Sequence, residues 1–358
     1  MPTVPAAGLR YLATTLMTAV GTPPDLSHVV SDSLVNSNLA GHDSHGVLRL
    51  PGYLDAAQAG RVQVAARPHV THTDRATARI DGAGGWGQPA MWLATETALD
   101  RARAHGLGCA VVNRSFHIGR VAPYVEHVAR SGMVGIAMAN AGPAVAPFGG
   151  QQRILGTNPF AWAVPRGADH DPLSFDIATA AVAEGKLRVA VAKGHPVAPG
   201  LLVTADGRPT VAPDDFYAGG ALLPFGGHKG YGLSLLAQVL GLGLAGLDTS
   251  SISGPRGANG PVIIVIDIAP FTEPERFTEG IDALCERIVT SPPAAEAERV
   301  LLPGDQEIAS QAEREANGIP IPDMTWDQIT TLAAEFEVEI PDVADPGSAD
   351  NGVNARGP

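Results

Sequence analysis

The sequence predicts an α/β chain, α+β-like in layout, with helical ends around a sheet-rich middle. Three observations carry that prediction. Leu26, Val29, Val30 and Leu34 recur at helical spacing near the amino terminus. Between about Ala76 and Asn140, short strand-like runs alternate with helical stretches. Beyond Gly142, apolar runs such as PLSFDIA and PVIIVIDIA are separated by Gly and Pro.

Taken in order, the first helix has Asp25 as its N-cap and Gly41 as its stop, and Gly41 to Gly46 is a loop. VLRLPGYLDAAQAG continues as a helix from Val47, with Pro51 tolerated because N–H groups in a first turn have no partner in the helix. Next come a strand (ATARI), a helix (Pro89 to His105), a strand (GCAVV), a helix (Gly119 to Ser131) and a strand (VGIAMA). One apolar helix follows Tyr231, and a last helical stretch runs from Trp326 to Phe336. The expected organisation is a helical domain over 1–72, a sheet-rich domain over 73–310, and a helical segment over 311–343 packing on the first domain. The Gly/Pro/Asp-rich tail, 344–358, lacks the apolar residues needed to order itself.

With 24 Lys and Arg against 37 Asp and Glu among 358 residues, the net charge of −13 opposes binding to nucleic acid or to anionic membrane surfaces. A small anionic substrate therefore needs its own local cation. Cys109 and Cys285 lie far apart in apolar segments and read as buried thiols, which suits a reducing compartment. The amino terminus has no leader-like pattern, and Leu233 to Gly246 is too short and glycine-rich to span a bilayer, so the expectation is a cytoplasmic protein.

Four segments have residues suited to chemistry. In GHDSHGVLRLPGY, His45, Arg49 and Tyr53 are spaced by four, so a continuous helix would put them on one face with Ser44 beside them. Arg49 suits a carboxylate through its planar fork, His45 can move a proton near neutral pH, and the Ser44 hydroxyl can orient it. A loop cap with a surface ion pair is the plain alternative. His-x-x-His spacing is also present, but no third ligand accompanies it, so no metal is expected. In SFHIGRVAPYVEHV, His117 precedes a helix whose positive end favours neutral imidazole, and residues 118–121 offer N–H groups to a phosphate. A capping histidine is the alternative there. The Gly156-Thr157-Asn158-Pro159 turn adds Thr157 as a possible bond to a substrate oxygen. LPFGGHKGYG runs a glycine-rich loop into a helix, where Lys229 suits a pyrophosphate or ribose, and Asp176 at a strand end suits a ribose hydroxyl.

Gly82 to Gly87 also fits G-x-G-x-x-G between a strand and a helix. The next strand ends at Val112-Asn113 without the acidic residue a ribose would require, and Trp86 and Pro89 crowd the turn.

Together these segments resemble the malate/L-lactate dehydrogenase family of the non-Rossmann type, whose relatives include ureidoglycolate, sulfolactate and diketogulonate dehydrogenases and piperideine-carboxylate reductases. DSHGVLRLPGY, HIGRVAPY, APFGGQQRILGTNPFAWAVP, FDIAT with AEGK, DGRPT, LPFGGHKGYGLSLLAQVL and LLPGDQE carry the resemblance in order across residues 43–307. It implies a homodimer and a cofactor domain built on a largely antiparallel sheet, which makes the Gly82 match accidental. It implies NAD or NADP as cofactor and a small 2-hydroxy acid, 2-oxo acid or cyclic 2-imino acid as substrate. A fold retained for binding alone is the rival of another class.

Site residues follow from the same resemblance. Ser44 and His45 form a proton-transfer pair; Arg49, Tyr53, Thr157, Glu184 and Gly185 bind substrate. The acid/base is either His45 or His117, and the adjacency of Ser44 favours His45. Cofactor contacts fall on His117, Ile118, Gly119, Arg120, Val121, Phe175, Asp176, Ile177, His228, Lys229, Gly304 and Asp305. The chain departs from the family pattern at Ala141, at Leu201, before PVIIVID, and in a short Lys193 to Gly220 region.

Overall fold

A computed structural model describes residues 1–247 and 259–341, so the expected tail and most of GPRGANG lie outside the described residues. The chain separates into two units, one formed by Met1–Ala65 with the chain from Asp305 onward, the other by Ala66–Gly304.

The first unit begins with a short strand, β1 (Thr3–Val4), then α1 (Ala6–Ala19) and α2 (Pro24–Leu39). These helices pack together and bury Leu9, Leu12, Leu16 and Met17 of α1 with Val30, Leu34 and Val35 of α2. Asp25 is not the N-cap: Pro23 holds that place and Pro24 opens the helix, leaving Asp25 in the first turn near the helix's positive end. Gly41 does end it, at φ +81° with its N–H on the Asn38 carbonyl. Two single 3₁₀ turns follow, Asp43–His45 and Val47–Arg49, and then α3 (Leu50–Gln58).

The second unit is built on a seven-stranded sheet. Its strands are β2 (His69–Asp74), β3 (Thr77–Asp81), β4 (Leu107–Asn113), β5 (Val134–Met138), β6 (Phe160–Val164), β7 (Leu173–Ile177) and β11 (Val262–Ile266), in the order β2-β3-β4-β11-β5-β6-β7. Only β3 and β4 pair in parallel, joined by the crossover helix α4 (Gly87–His105); every other pairing is antiparallel.

Both faces of the central strands are covered, which is why they are apolar without alternation. Ala110 and Val112 of β4 and Ile263 and Val265 of β11 face α4 and α5 (Ala122–Arg130). Cys109, Val111, Val262 and Ile264 join a second cluster with Ala237 and Leu240. Both cysteines are free thiols, with Cys285 buried and Cys109 partly so.

Beyond β7 lie α6 (Glu184–Lys193), a small sheet of β8 (Leu202–Val203), β9 (Pro209–Thr210) and β10 (Ala221–Leu222), and α7 (Asp214–Tyr217). Then come α8 (His228–Gln238) and, after β11, α9 (Pro274–Val289).

The chain re-enters the helical unit with α10 (Asp305–Asn317), β12 (Ile319–Pro320) and α11 (Asp323–Glu335). β12 pairs antiparallel with β1, Thr3 opposite Pro320 and Val4 opposite Ile319, so the unit is closed by chain segments from both ends of the described sequence. Among the described residues no helix is long and apolar enough to cross a membrane.

Candidate active site

The loop after α2 does not form the continuous helix that would align His45, Arg49 and Tyr53. Gly46 is extended, with φ −84° and ψ −155°, and it separates the turn ending in His45 from the turn ending in Arg49. A side chain at Gly46 would overlap the Asn38 amide, so the break is built into the packing. Tyr53 points into the buried part of α3 and is 3% exposed, whereas Ser44, His45 and Arg49 are each half-buried.

The expected Ser–His contact is present: Ser44 Oγ lies 3.1 Å from His45 Nδ1. Arg49 Nε donates to the Ser44 carbonyl at 2.7 Å. That bond ties Arg49 to the turn holding the pair.

In the sheet unit the helix expected from Gly119 starts at Ala122, and Gly119 has φ +77°. His117 is therefore five positions before the helix and is set by its own loop, where the Gly119 N–H donates to Nδ1 at 3.3 Å. Tyr124 Oη donates to the Ile118 carbonyl at 2.6 Å and pins the same segment. At the start of α5 the N–H groups of Val121 and Ala122 donate to Asp176 Oδ2 at 2.9 and 2.8 Å. A carboxylate from β7 thus sits where a phosphate was expected, and Asp176 has a capping task the sequence did not reveal.

The other sheet-unit motifs converge through two residues, Asn158 of the GTNP turn and Thr179 of FDIAT. Asn158 is fully buried at φ +29°. Its Nδ2 donates to the Ser234 carbonyl and to Gln238 Oε1, both at 3.0 Å on α8, while its Oδ1 accepts the Ala141 N–H at 2.9 Å. Thr179, just after β7, donates from its N–H to the Thr157 carbonyl at 2.8 Å and accepts the Phe225 N–H at 3.1 Å. GTNP, FDIAT and the Gly226-Gly227-His228-Lys229 turn are thereby joined.

Several further residues have definite neighbours. His228 and Lys229 open α8, with the His228 ring edge-on to Phe148. Phe175 packs on Trp162, Ile177 ends β7, and Gly304, at φ +96°, lies against Ser174 of β7. Asp305 is the first residue of α10. Glu184 and Gly185 open α6, where the Glu184 carboxylate accepts from Arg188 at 2.8 Å and from the Tyr217 hydroxyl at 3.3 Å. Burial and that carboxylate push the Tyr217 phenol up.

The first four N–H groups of the Gly82 to Gly87 turn are already engaged, that of Ala83 by Asp81 Oδ1 at 2.7 Å. Those of Gly82, Gly84 and Gly85 donate to the carbonyls of Asn113, Arg114 and Gly82 at 2.7–2.9 Å. A Cβ on Gly87 would overlap the backbone of Phe116 and His117, so this glycine serves close packing.

One buried cation fits an anionic cofactor. Arg120 is 9% exposed, and its Nε and Nη1 have no hydrogen-bond partner among the described residues. A buried guanidinium in that condition is costly unless an anion meets it. Among the described residues no group of three or more His, Cys, Asp or Glu could hold a metal ion.

A family profile described as malate/L-lactate dehydrogenase matches residues 4–330. Over 347 residues the chain is 35% identical to malate dehydrogenase of Pyrococcus horikoshii, covering 94% of this chain and 96% of that one. Identity to L-sulfolactate dehydrogenase of Methanothermobacter thermautotrophicus is 32% over 331 residues, covering 91% and 94%. The solved structure of delta1-piperideine-2-carboxylate reductase from Pseudomonas syringae superposes with a TM-score of 0.81 at 32% identity, covering 93% of this chain and all of that one. The fold is thus that of a class of oxidoreductases. The chain belongs to the malate/L-lactate dehydrogenase family.

Proposed function

We propose that this protein interconverts a small 2-hydroxy acid and its 2-oxo acid with NAD or NADP. The observation that carries the reading is the Ser44–His45 contact beside an arginine tied to the same turn. In this proposal the Arg49 Nη groups hold the substrate carboxylate. His45 takes the hydroxyl proton at Nε2 during oxidation and returns it during reduction, while Ser44 holds Nδ1. A bound nicotinamide supplies the hydride acceptor or donor. Arg120 and Lys229 are proposed to meet a nicotinamide cofactor's anionic groups.

The Gly119 bond at Nδ1 supports giving His117 the other role. A ring that accepts at Nδ1 carries its proton at Nε2 when neutral, so His117 acts as a fixed donor there and His45 as the acid/base. The proposed assembly is a homodimer in the cytoplasm, with sedimentation as the check on the dimer.

The deciding experiment is NADH and NADPH oxidation with pyruvate, oxaloacetate, sulfopyruvate, diketogulonate and cyclic 2-imino acids. Turnover of an oxo acid supports the reading. Turnover of the imino acids alone assigns the chain to imine reduction, and a flat nicotinamide fluorescence titration would make it a binding protein.

A further inference from the structure

We propose that Arg314 is a positioning residue for the Ser44–His45 turn; its catalytic consequence rests on the function proposed above. Arg314 lies on α10, 271 residues from Asp43, and its side chain is only 14% exposed. Nη1 donates to Asp43 Oδ1 at 2.6 Å, and Nη2 donates to Oδ2 at 3.2 Å. Nη1 also donates to the Asn38 carbonyl at 2.5 Å. A fork on both carboxylate oxygens fixes rotation as well as position, which a point charge does not.

Asn38 carries the constraint to the rest of the loop. Its Nδ2 donates to Asp43 Oδ1 at 2.6 Å, and its Oδ1 accepts the Val47 N–H at 2.8 Å. The buried amide therefore braces both 3₁₀ turns across Gly46, one ending in His45 and the other in Arg49. Two more ties come from the same helix. Glu307 meets His42 Nε2 at 3.0 Å, and Ser310 Oγ donates to the Leu39 carbonyl at 2.9 Å. Glu307, Ser310 and Arg314 fall at i, i+3 and i+7, so one face of α10 presents all three to the loop.

The packing of α10 argues that this is more than a contribution to stability. None of its residues is buried. Apolar burial is the main term in holding a helix to a domain, and here the contacts to the loop are polar. Their geometric effect is to set the turn that bears Ser44 and His45.

The test compares Arg314→Gln, Arg314→Lys and Asp43→Asn with the wild type, using Arg103→Gln, which breaks an exposed ion pair, as control. Expected for Arg314→Gln is a kcat lower by about 10–100-fold, since a lost charged hydrogen bond is worth about 1.5–3 kcal/mol. The KM for the nicotinamide should change less than about twofold, and Lys should recover part of kcat. In parallel, His45 ring nitrogen signals, assigned by their loss in His45→Gln, should shift in Arg314→Gln and Asp43→Asn and move back in Arg314→Lys.

Unchanged kcat with unmoved His45 signals overturns the proposal, as does a lower Tm alone. If Arg314→Gln does not fold, the Lys and Asn variants decide. If the wild type turns over no acid in the screen, the proposed function fails while the His45 signals still decide whether the brace exists.

Discussion

The backbone N–H of Gly119 donates to Nδ1 of His117, at 3.3 Å, within a loop further pinned by Tyr124 on Ile118. A neutral ring that accepts this bond carries its own proton at Nε2. Gln substituted for His117 keeps an N–H donor near the Nε2 position, so His117→Gln should retain activity within about tenfold. His45→Gln removes proton transfer and should lower kcat by about 10²–10⁴-fold. Steady-state kinetics of the two variants separate the histidines, and a reversed order of effects would exchange their roles.

Arg49 is bound to its own loop as well as proposed to hold the substrate carboxylate. Lys in its place keeps the charge but loses both the fork and the Nε bond to the Ser44 carbonyl. The expected loss in kcat/KM is about 10–100-fold, from about 1.5–3 kcal/mol of charge-assisted bonding. It should appear in kcat as well as in KM, because a misplaced carboxylate also misaligns the hydride path. Kinetics equal to the wild type would remove Arg49 from the site.

Much of the fold was legible because it follows from local pattern. β3, α4, β4, α5 and β5 occur in the order the alternation predicts, and β3, β4 and β5 run in one direction. The sequence could not reveal that β11, more than a hundred residues later, inserts between β4 and β5 and makes the sheet largely antiparallel; only the family resemblance implied it. The same division holds at the site. Ser44 and His45 are neighbours in the chain, so their contact could be anticipated. Asp176 on the start of α5 and Arg314 on Asp43 join residues with no local relationship. Asn158 was visible as a turn residue, but its full burial and links to α8 depend on the packed helix.

Gly84 tests whether the G-x-G-x-x-G match has any part in cofactor binding. It has φ +72°, and its N–H is bonded to the Arg114 carbonyl at 2.7 Å. Gly84→Ala should cost about 1 kcal/mol, seen as a drop in Tm of about 2–4 °C, because an L-residue is strained at that φ. NADH and NADPH affinity should stay within twofold. A variant that folds but loses nicotinamide binding in a fluorescence titration would restore a phosphate role to this turn.

Asp282 provides a pH-dependent probe of the sheet unit. Its Oδ1 accepts from Arg166 Nε at 2.7 Å, and its Oδ2 accepts the Gly167 N–H at 2.9 Å, tying α9 to the turn between β6 and β7. Burial pushes this carboxyl up, but the Arg166 guanidinium and the Gly167 N–H outweigh it and hold it below its ordinary value. A carboxyl depressed in the folded state adds stability that is fully present above its unfolded value, about 3.9, and is lost as pH falls through the folded value. Asn at this position has no charge and turns an amide donor or a single oxygen toward two donors. Asp282→Asn should therefore lower Tm by about 2–4 °C at pH 7. Because only the wild type loses its carboxylate on acidification, the difference should hold steady down to about pH 5 and shrink below about pH 4. Thermal unfolding of both proteins between pH 3 and 7 measures it, and a difference that widened toward acid would reverse the assigned direction.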